Sequence, residues 1–207
     1  MSEQKLYLYP FWVRLWHMVN ALLCLALIIT GLSMQFSGPR VALVKFDLAV
    51  SIHNIAGIVL TINYALFFFG NIFMFNGKYY QMEFKGLWTR LIRQFRYYAF
   101  GIFRKEHAPF PVTADNKFNP LQQFSYVFIM YLFVPLVFIS GWAMLYPQSI
   151  PTTIFGGSGL HTTDALHIVS GFVISVFMVV HIYFCTIGKS ATSNFKSMIN
   201  GYHEAHD

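Results

Sequence analysis

Charged side chains are scarce in this chain. They make up 11% of its 207 residues, whereas a soluble domain carries about 25%. At 56% hydrophobic residues the composition excludes an ordinary soluble globular protein. A membrane-spanning helix takes roughly 20 apolar residues, and four runs are long enough, at about 12–35, 51–75, 121–146 and 165–188. We expect one membrane domain over 1–207, an all-α integral membrane four-helix bundle.

Cysteine is scarce as well. Cys24 and Cys185 both lie within predicted spans, so the sequence indicates no disulfide framework. The chain has no C-x-x-C-H motif, which excludes a covalently attached c-type haem. No clear small-residue cleavage site follows the long apolar run after His17, and we therefore expect that run to be retained as the first helix.

The basic residues lie mainly on one side of the predicted membrane. Twelve of the fourteen Lys and Arg fall in the N-terminal segment, the 76–120 loop and the C-terminal tail. Only Arg40 and Lys45 fall in the other loops. The positive-inside rule then places both termini and the 76–120 loop in the cytoplasm, which for a bacterium means the inner membrane. The net charge of +6 thus follows from topology, and we expect no nucleic-acid partner.

Part of the 76–120 loop has the pattern of an amphipathic helix. With Arg90 at 0° on a helical wheel, apolar side chains fall between about 60° and 140°: Leu87, Leu91, Phe95, Tyr98 and Ile102. Basic side chains fall between about 220° and 320°: Lys85, Arg93, Arg96 and Arg104. This segregation predicts a basic helix in the headgroup plane of the lipid, in an interfacial position. Docking onto a cytoplasmic partner is the alternative.

Four histidines lie at the ends of the apolar runs. His167 and His181 are fourteen residues apart in the last run. Fourteen residues of helix rise about 21 Å and return to within about 40° of the starting direction, so both point the same way at two depths. Pairing by depth joins His17 with His181 and His53 with His167. A haem b with two axial nitrogens needs one such pair, so we expect two haem b groups and electron transfer across the membrane.

Small and basic residues fit the same interpretation. Gly57 and Gly171 lie four residues after His53 and His167, on the same helix faces, where a macrocycle could approach the backbone. Basic residues near the two surfaces are placed to neutralise haem propionates: Arg14, Arg40 and Lys45. The alternative for a single intramembrane histidine is a buried ring hydrogen-bonded to a neighbour.

These residues resemble the four-helix di-haem cytochrome b subunits of membrane-bound NiFe hydrogenases, formate dehydrogenases and thiosulfate reductases, a group that includes prokaryotic cytochrome b561-like proteins. The resemblance covers essentially the whole chain. Its motifs are Arg14-Leu-Trp-His17, the helix-2 histidine His53, and His167-x13-His181. It implies a subunit that anchors a periplasmic redox enzyme, through an iron–sulfur or multihaem cytochrome subunit, and exchanges electrons with a quinone near the inner haem.

The resemblance also implies a quinone site at the start of the third span. The segment 119–123 is similar to the family's quinone-site segment, so its polar side chains could contact a menaquinone or ubiquinone: Asn119, Gln122 and Gln123. A helix cap with interfacial polar groups is the alternative for the same residues. No catalytic residue is expected within this chain.

Two other functions are compatible with the sequence. One is a stand-alone cytochrome b561-type quinol oxidase that works without a partner. The other is a transporter that uses the histidines as a proton or metal path, which would need acidic partners inside the spans. The stretches 11–34, 51–75 and 121–146 contain no Asp or Glu.

Overall fold

The computed structural model describes residues 5–38, 43–188 and 190–204. Within these residues, four helices are long and apolar enough to cross a membrane. They are α1 (Phe11–Gln35), α2 (Phe46–Phe73), α4 (Pro120–Leu145) and α5 (Gly159–Cys185). The shorter helices are α3 (Leu87–Arg96) and α6 (Ser193–Asn200). The predicted all-α membrane class is confirmed.

Two of the long helices begin earlier than the hydropathy pattern indicated. Helix α2 starts at Phe46 rather than near 51, so His53 lies in its second or third turn. Helix α5 starts at Gly159 rather than near 165. Asp164 therefore lies inside this helix and not at its start. Hydropathy reports the apolar stretch, whereas helical hydrogen bonding continues into the polar residues beside it.

Helix α4 combines a strong start with an irregular middle. Asn119 and Gln122 form a reciprocal capping box, and Pro120 occupies the first turn, where a missing N–H costs nothing. Pro135 is preceded by a wider π turn over Ile129–Phe133. Proline cannot donate the backbone hydrogen bond of a regular turn, and the wider turn before it accommodates that loss.

The predicted helix in the 76–120 loop is present as α3. It continues as a π turn over Tyr97–Gly101 and a short 3₁₀ turn over Ile102–Arg104. Leu91 and Gln94 are buried, and they centre the buried face near 70° on the wheel. Phe95, expected on the same face as Leu91, lies outside that arc and is 64% exposed. Trp88 and Ile92 are exposed with it.

The chain divides into two compact units. The first holds residues 1–14, 70–130 and 180–207, and the second holds 15–69 and 131–179. The second unit therefore contains most of α1, α2 and α5 and the latter part of α4. It also contains an antiparallel hairpin of β2 (Thr153–Ile154) and β3 (Gly157–Ser158).

In the first unit the two ends of the chain are joined. Strand β1 (Lys5–Tyr7) pairs antiparallel with β4 (Tyr202–Glu204), with Tyr7 opposite Tyr202. The backbone N–H groups of Leu8 and Tyr9 both donate to the carbonyl of Gly201, at 3.1 and 3.2 Å. Gly201 has a φ of 89°, and an added Cβ would lie 2.7 Å from the Tyr7 ring, so the junction requires glycine.

In the second unit small residues and aromatic contacts hold the helices together. Ala49 is fully buried, and Ser140 and Ser170 are each 1% exposed. Trp16 of α1 stacks on Phe67 of α2, with ring centroids 4.1 Å apart. The Trp16 indole N–H also donates to a helix carbonyl of α2, at Asn63, over 3.0 Å. This packing brings the histidine-bearing part of α2 into register with α1.

Candidate functional site

The imidazoles of His53 on α2 and His167 on α5 face each other in the second unit. Their ring centroids are 6.1 Å apart and their planes are inclined by 65°. A metal–imidazole nitrogen bond is about 2 Å and the nitrogen lies about 1.1 Å from its ring centre, so two imidazoles trans on one metal have centroids about 6 Å apart. The separation therefore has room for one metal ion between the rings.

The orientation of His53 is set by helix α1. Its Nδ1 lies 2.9 Å from the hydroxyl of Thr30, and the ring also hydrogen-bonds the backbone of Leu27. The Thr30 hydroxyl donates its proton to the carbonyl of Ala26, at 2.7 Å, so it accepts from the Nδ1–H of His53. The Nε2 lone pair of His53 is then available to a metal.

His167 is held in the same way by helix α4. Its Nδ1 lies 3.1 Å from the carbonyl oxygen of Val137 and 3.1 Å from the hydroxyl of Ser140. A carbonyl only accepts, so Nδ1 carries the proton and donates it. The Ser140 hydroxyl donates to the carbonyl of Leu136 at 2.7 Å. Again Nε2 retains the lone pair that binds a metal, and a fixed tautomer of this kind is typical of ligating histidines.

Two glycines provide the space in which these rings lie. A Cβ added to Gly31 would be 3.4 Å from Cε1 of His53, and one added to Gly141 would be 3.1 Å from Cε1 of His167. Thr30-Gly31 and Ser140-Gly141 are thus equivalent hydroxyl–glycine pairs, each supporting a histidine of the next long helix. Neither pair was expected from the sequence. Their signal was the recurrence of a hydroxyl residue followed by glycine late in α1 and α4.

The faces that follow the two histidines are open. A Cβ added to Gly57 or to Gly171 would meet no atom within 4 Å. Beside Gly171, the hydroxyl of Ser170 is buried and has no hydrogen-bond partner within the described residues. Open glycine faces and an unsatisfied polar atom one turn from His167 fit a bulky planar group between the rings. The residues present are therefore compatible with haem.

His181 lies in the first unit. Its Nδ1 is 3.5 Å from the hydroxyl of Tyr126, and the two ring centroids are 5.9 Å apart. Its Nε2 is 3.7 Å from the Sγ of Cys185, one turn later on the same helix. His17 lies in the second unit and is partly buried. The pairing of His17 with His181 stays a prediction.

The basic residues expected near the propionates differ in their surroundings. Arg14 donates from Nη1 to the carbonyl of Ile199, near the end of α6. Its Nε is buried and has no hydrogen-bond partner in the part of the chain that is described. Lys45 is exposed, and Arg40 lies outside the described residues. The role of these residues towards propionates stays a prediction.

The polar residues of the 119–123 segment already have partners in the protein. Asn119 accepts from the backbone N–H groups of Leu121 and Gln122 and donates to the hydroxyl of Tyr98 at 2.7 Å. Gln122 closes the capping box, and Gln123 donates to the carbonyl of Tyr79 at 2.9 Å. The alternative role as a helix cap is thus present. Contact with a quinone stays a prediction.

A buried lysine in the first unit was not anticipated. Lys117 is 3% exposed, and its Nζ lies 4.4 Å from the ring centroid of Tyr9 and 5.4 Å from those of Tyr79 and Phe118. Burial lowers the pKa of Lys117 to about 8. Burial, with a smaller contribution from the thiol of Cys185, raises the pKa of Tyr9 to about 12. Nothing in the sequence around Lys117 indicated that this loop lysine would be buried.

Comparison with known proteins accounts for nearly the whole chain. Residues 8–201 match the family described as prokaryotic cytochrome b561. A protein of Escherichia coli (strain K12) named cytochrome YdhU is 38% identical over 200 residues, which covers 97% of this chain and 75% of that protein. A Ni/Fe-hydrogenase B-type cytochrome subunit of Rhodobacter capsulatus is 27% identical over 228 residues, covering 96% of this chain and 81% of that protein.

Proposed function

This chain belongs to the prokaryotic cytochrome b561 family, a family of haem b membrane cytochromes, and from that premise we propose that it binds two haem b groups and carries electrons between an extracytoplasmic redox partner and the membrane quinone pool. The observation that carries the proposal is the facing pair of imidazoles, His53 and His167, with centroids 6.1 Å apart. Both rings have Nδ1 engaged, which leaves each Nε2 free to bind iron.

The first proposed haem site has three parts: two histidine ligands, two residues that orient them, and open helix faces beside them. His53 and His167 would hold the haem iron through Nε2, and Thr30 and Ser140 hold their rings in orientation. Gly57 and Gly171 leave the helix faces beside the ligands open for the macrocycle. When bound, haem b supplies a one-electron redox couple whose potential depends on its ligands and their hydrogen bonds. The apolar helices around it exclude water.

His17 and His181 are proposed as the ligands of the second haem b. Their support is the spacing of fourteen residues between His167 and His181 and the matched positions of the histidines in the spans. The Nδ1 of His181 lies 3.5 Å from the Tyr126 hydroxyl, a contact of the kind that orients a ligating imidazole. Two haems about 20 Å apart along the helices would carry an electron across most of the membrane.

The quinone is proposed to react near the cytoplasmic surface, where the family resemblance places Asn119, Gln122 and Gln123. The net basic charge of the 76–120 loop supports a cytoplasmic location for that surface and for both termini, in a bacterial inner membrane. The exposed side chains of α3 support lipid contact there: Trp88, Ile92 and Phe95.

The partner is proposed to be an iron–sulfur or multihaem cytochrome subunit of a periplasmic oxidoreductase. The support is the similarity to a cytochrome subunit named for a Ni/Fe hydrogenase. The alternative is a stand-alone quinol oxidase, which the similarity to a protein named simply as a cytochrome leaves open. A histidine-lined transporter has weaker support, because the imidazoles of His53 and His167 are paired across helices and are not arranged along a path.

The experiment is a quantitative haem assay and spectrum of the full chain purified in mild detergent. We expect about two haem b groups per chain and a reduced-minus-oxidised difference spectrum of the b type, with reduction by a short-chain quinol. Fewer than about two haems per chain would contradict the di-haem assignment. Co-purification from the native membrane separates the alternatives, because a stand-alone quinol oxidase would migrate alone and remain quinol-active.

A further inference from the structure

We propose that Lys117 passes protons between the cytoplasm and the reacting quinone. The inference rests on the proposed quinone function and assigns the proton-carrying group of that reaction. Lys117 lies two residues before Asn119, at the edge of the segment proposed to contact the quinone. The sequence motifs described above do not include it.

The ammonium of Lys117 is enclosed by aromatic rings from three parts of the first unit. Tyr9 follows β1, Tyr79 belongs to the 3₁₀ turn over Phe75–Tyr80, and Phe118 is the next residue in the chain. Cations are attracted to ring faces within about 6 Å, so the enclosure stabilises the charged form. A lysine with no role in chemistry would more often extend its charge to solvent.

The charged form has no carboxylate beside it in the described part of the chain. The two ion pairs found there are Lys78 with Asp115 and Arg90 with Glu83, and neither includes Lys117. The titratable groups facing Lys117 are the phenols of Tyr9 and Tyr79, and Lys78 approaches the Tyr79 ring at 5.0 Å. Since no acid fixes the charge, the amine can gain and lose its proton.

Burial and the rings act on Lys117 in opposite directions. Burial favours the neutral amine and lowers the pKa to about 8, whereas the ring faces favour the cation. A group with a pKa near the ambient pH is the most effective proton donor and acceptor. Both forms of Lys117 are then populated near neutral pH.

The ring enclosure is connected to the proposed quinone residue Gln123 and, through Tyr126, to His181. Gln123 donates to the backbone carbonyl of Tyr79, one of the enclosing residues, at 2.9 Å. Phe118 packs edge-on against Tyr126, with centroids 4.9 Å apart. The Tyr126 hydroxyl in turn lies 3.5 Å from Nδ1 of His181. A proton released by Lys117 therefore starts from the group of residues around which the quinone is proposed to react.

The proposed step balances for either direction of turnover. Reduction of a quinone to a quinol takes two electrons, which the proposed haem pathway supplies, and two protons. For each proton, an N–H bond of the Lys117 ammonium breaks and an O–H bond forms on a quinone oxygen. The neutral amine then takes a proton from cytoplasmic water. In quinol oxidation the same transfers run in reverse.

The test compares Lys117→Arg with wild type. Arginine keeps the positive charge and the ring contacts but does not release its proton at physiological pH. The rate of haem reduction by a short-chain quinol is measured from pH 6 to 9.5, with dithionite as a reductant that needs no quinone site. We expect the quinol-linked rate of Lys117→Arg to fall about tenfold or more and to lose the step near pH 8, while dithionite reduction stays unchanged. Lys85→Met, at an exposed lysine of the same loop, is the control and should retain the wild-type profile.

A second readout does not depend on turnover. With ¹³Cε-labelled lysine, we expect one lysine signal of the wild-type protein to titrate near pH 8 and to disappear in Lys117→Arg. A wild-type rate and pH profile in Lys117→Arg, or a Lys117 signal that titrates near the ordinary lysine pKa of about 10.4, would overturn the proposal. If wild type itself accepts electrons from dithionite but not from any quinol, the proposed quinone function is the part that fails.

Discussion

His53 and His167, which are 114 positions apart in the sequence, place their imidazole centroids 6.1 Å apart in the folded chain. Each ring is held through Nδ1 by a hydroxyl residue of the preceding long helix, Thr30 for His53 and Ser140 for His167. The two halves of the arrangement repeat one another: a hydroxyl–glycine pair supports a histidine, and a glycine follows that histidine by four residues. This repetition favours a site built symmetrically around one planar group.

Replacement of His167 by alanine should remove one of the two haems. The variant lacks one axial nitrogen and leaves the second site untouched, so we expect the haem content to fall from about two to about one per chain. A pyridine haemochromogen assay on purified protein measures this directly. His161→Ala, an exposed histidine on the same helix, is the control and should retain both haems. Full haem content in His167→Ala would exclude His167 as a ligand.

Replacement of Ser140 by alanine should weaken haem binding without abolishing it. The variant removes one of the two groups near Nδ1 of His167 and leaves the Val137 carbonyl in place. Loss of a group that orients a metal ligand typically costs about 10- to 100-fold in affinity, and we expect the lower end of this range. Haem transfer to apomyoglobin gives the rate of haem loss.

The control for Ser140 is another serine of the same unit. Ser175 donates to the carbonyl of Gly171 within its own helix, at 2.7 Å, and no hydrogen bond joins it to either histidine. Ser175→Ala should lose haem at the wild-type rate. Equal rates in Ser140→Ala and Ser175→Ala would show that the Ser140 hydroxyl does not orient His167.

Substitutions of Gly171 and Gly141 test haem binding separately from folding. Gly171→Leu places a side chain where a Cβ meets nothing within 4 Å, so the protein itself should accommodate it. If the macrocycle occupies that space, the leucine blocks it, and the variant should fold with one haem fewer. Gly141→Ala is the converse case, because its Cβ would lie 3.1 Å from His167 and would displace the ring.

Haem content and thermal stability are measured together for both glycine variants. Gly171→Leu should unfold like His167→Ala, which is expected to lack the same haem, whereas Gly141→Ala should lower both haem content and the unfolding temperature. A Gly171→Leu protein with two haems would show that the open face beside Gly171 belongs to lipid rather than to the macrocycle.

The sequence predicted the spans and the pairing of His53 with His167 because both depend on patterns that can be recognised without tertiary detail. A run of apolar residues reports a membrane helix, and a fourteen-residue spacing reports a shared helix face. Ser140 and Gly141 were missed because a hydroxyl and a small residue within a span have many packing roles. The role of Ser140 and Gly141 becomes visible only in the fold, where His167 of another helix contacts both of them.

The sequence predicted the helices better than it predicted which individual side chains are buried. Phe95 belongs to the predicted apolar face of α3 and is 64% exposed, whereas Leu91, on the same predicted face, is buried together with Gln94. Lys117 was assigned to a polar loop, yet aromatic rings distant in sequence enclose it. Asn119 was correctly recognised as a potential cap because capping depends on a pattern local in sequence.

The enclosed lysine also predicts a pH dependence of stability. The folded-state pKa of Lys117 is about 8, below the ordinary value of 10.5, so between these values the unfolded chain binds more protons than the folded one. Stability should therefore rise with pH across this window, and the burial cost is fully present below about pH 8. A shift of this size corresponds to about 3 kcal/mol at most, and the ring contacts offset part of it.

Lys117→Met should flatten this rise. We expect the thermal midpoint of wild type, measured in one detergent from pH 7 to 9.5, to increase relative to that of Lys117→Met. The pH range ends at 9.5 because Tyr9 also titrates above it. The pKa of Tyr9 is raised to about 12, so above about pH 10 the folded chain keeps a proton that the unfolded chain has lost, and stability falls. Lys85→Met, at an exposed lysine of the same loop, should leave the wild-type slope unchanged. Parallel curves for wild type and Lys117→Met would mean that the lysine is not enclosed in the folded protein, since an enclosed ammonium must lose its desolvation cost as it deprotonates.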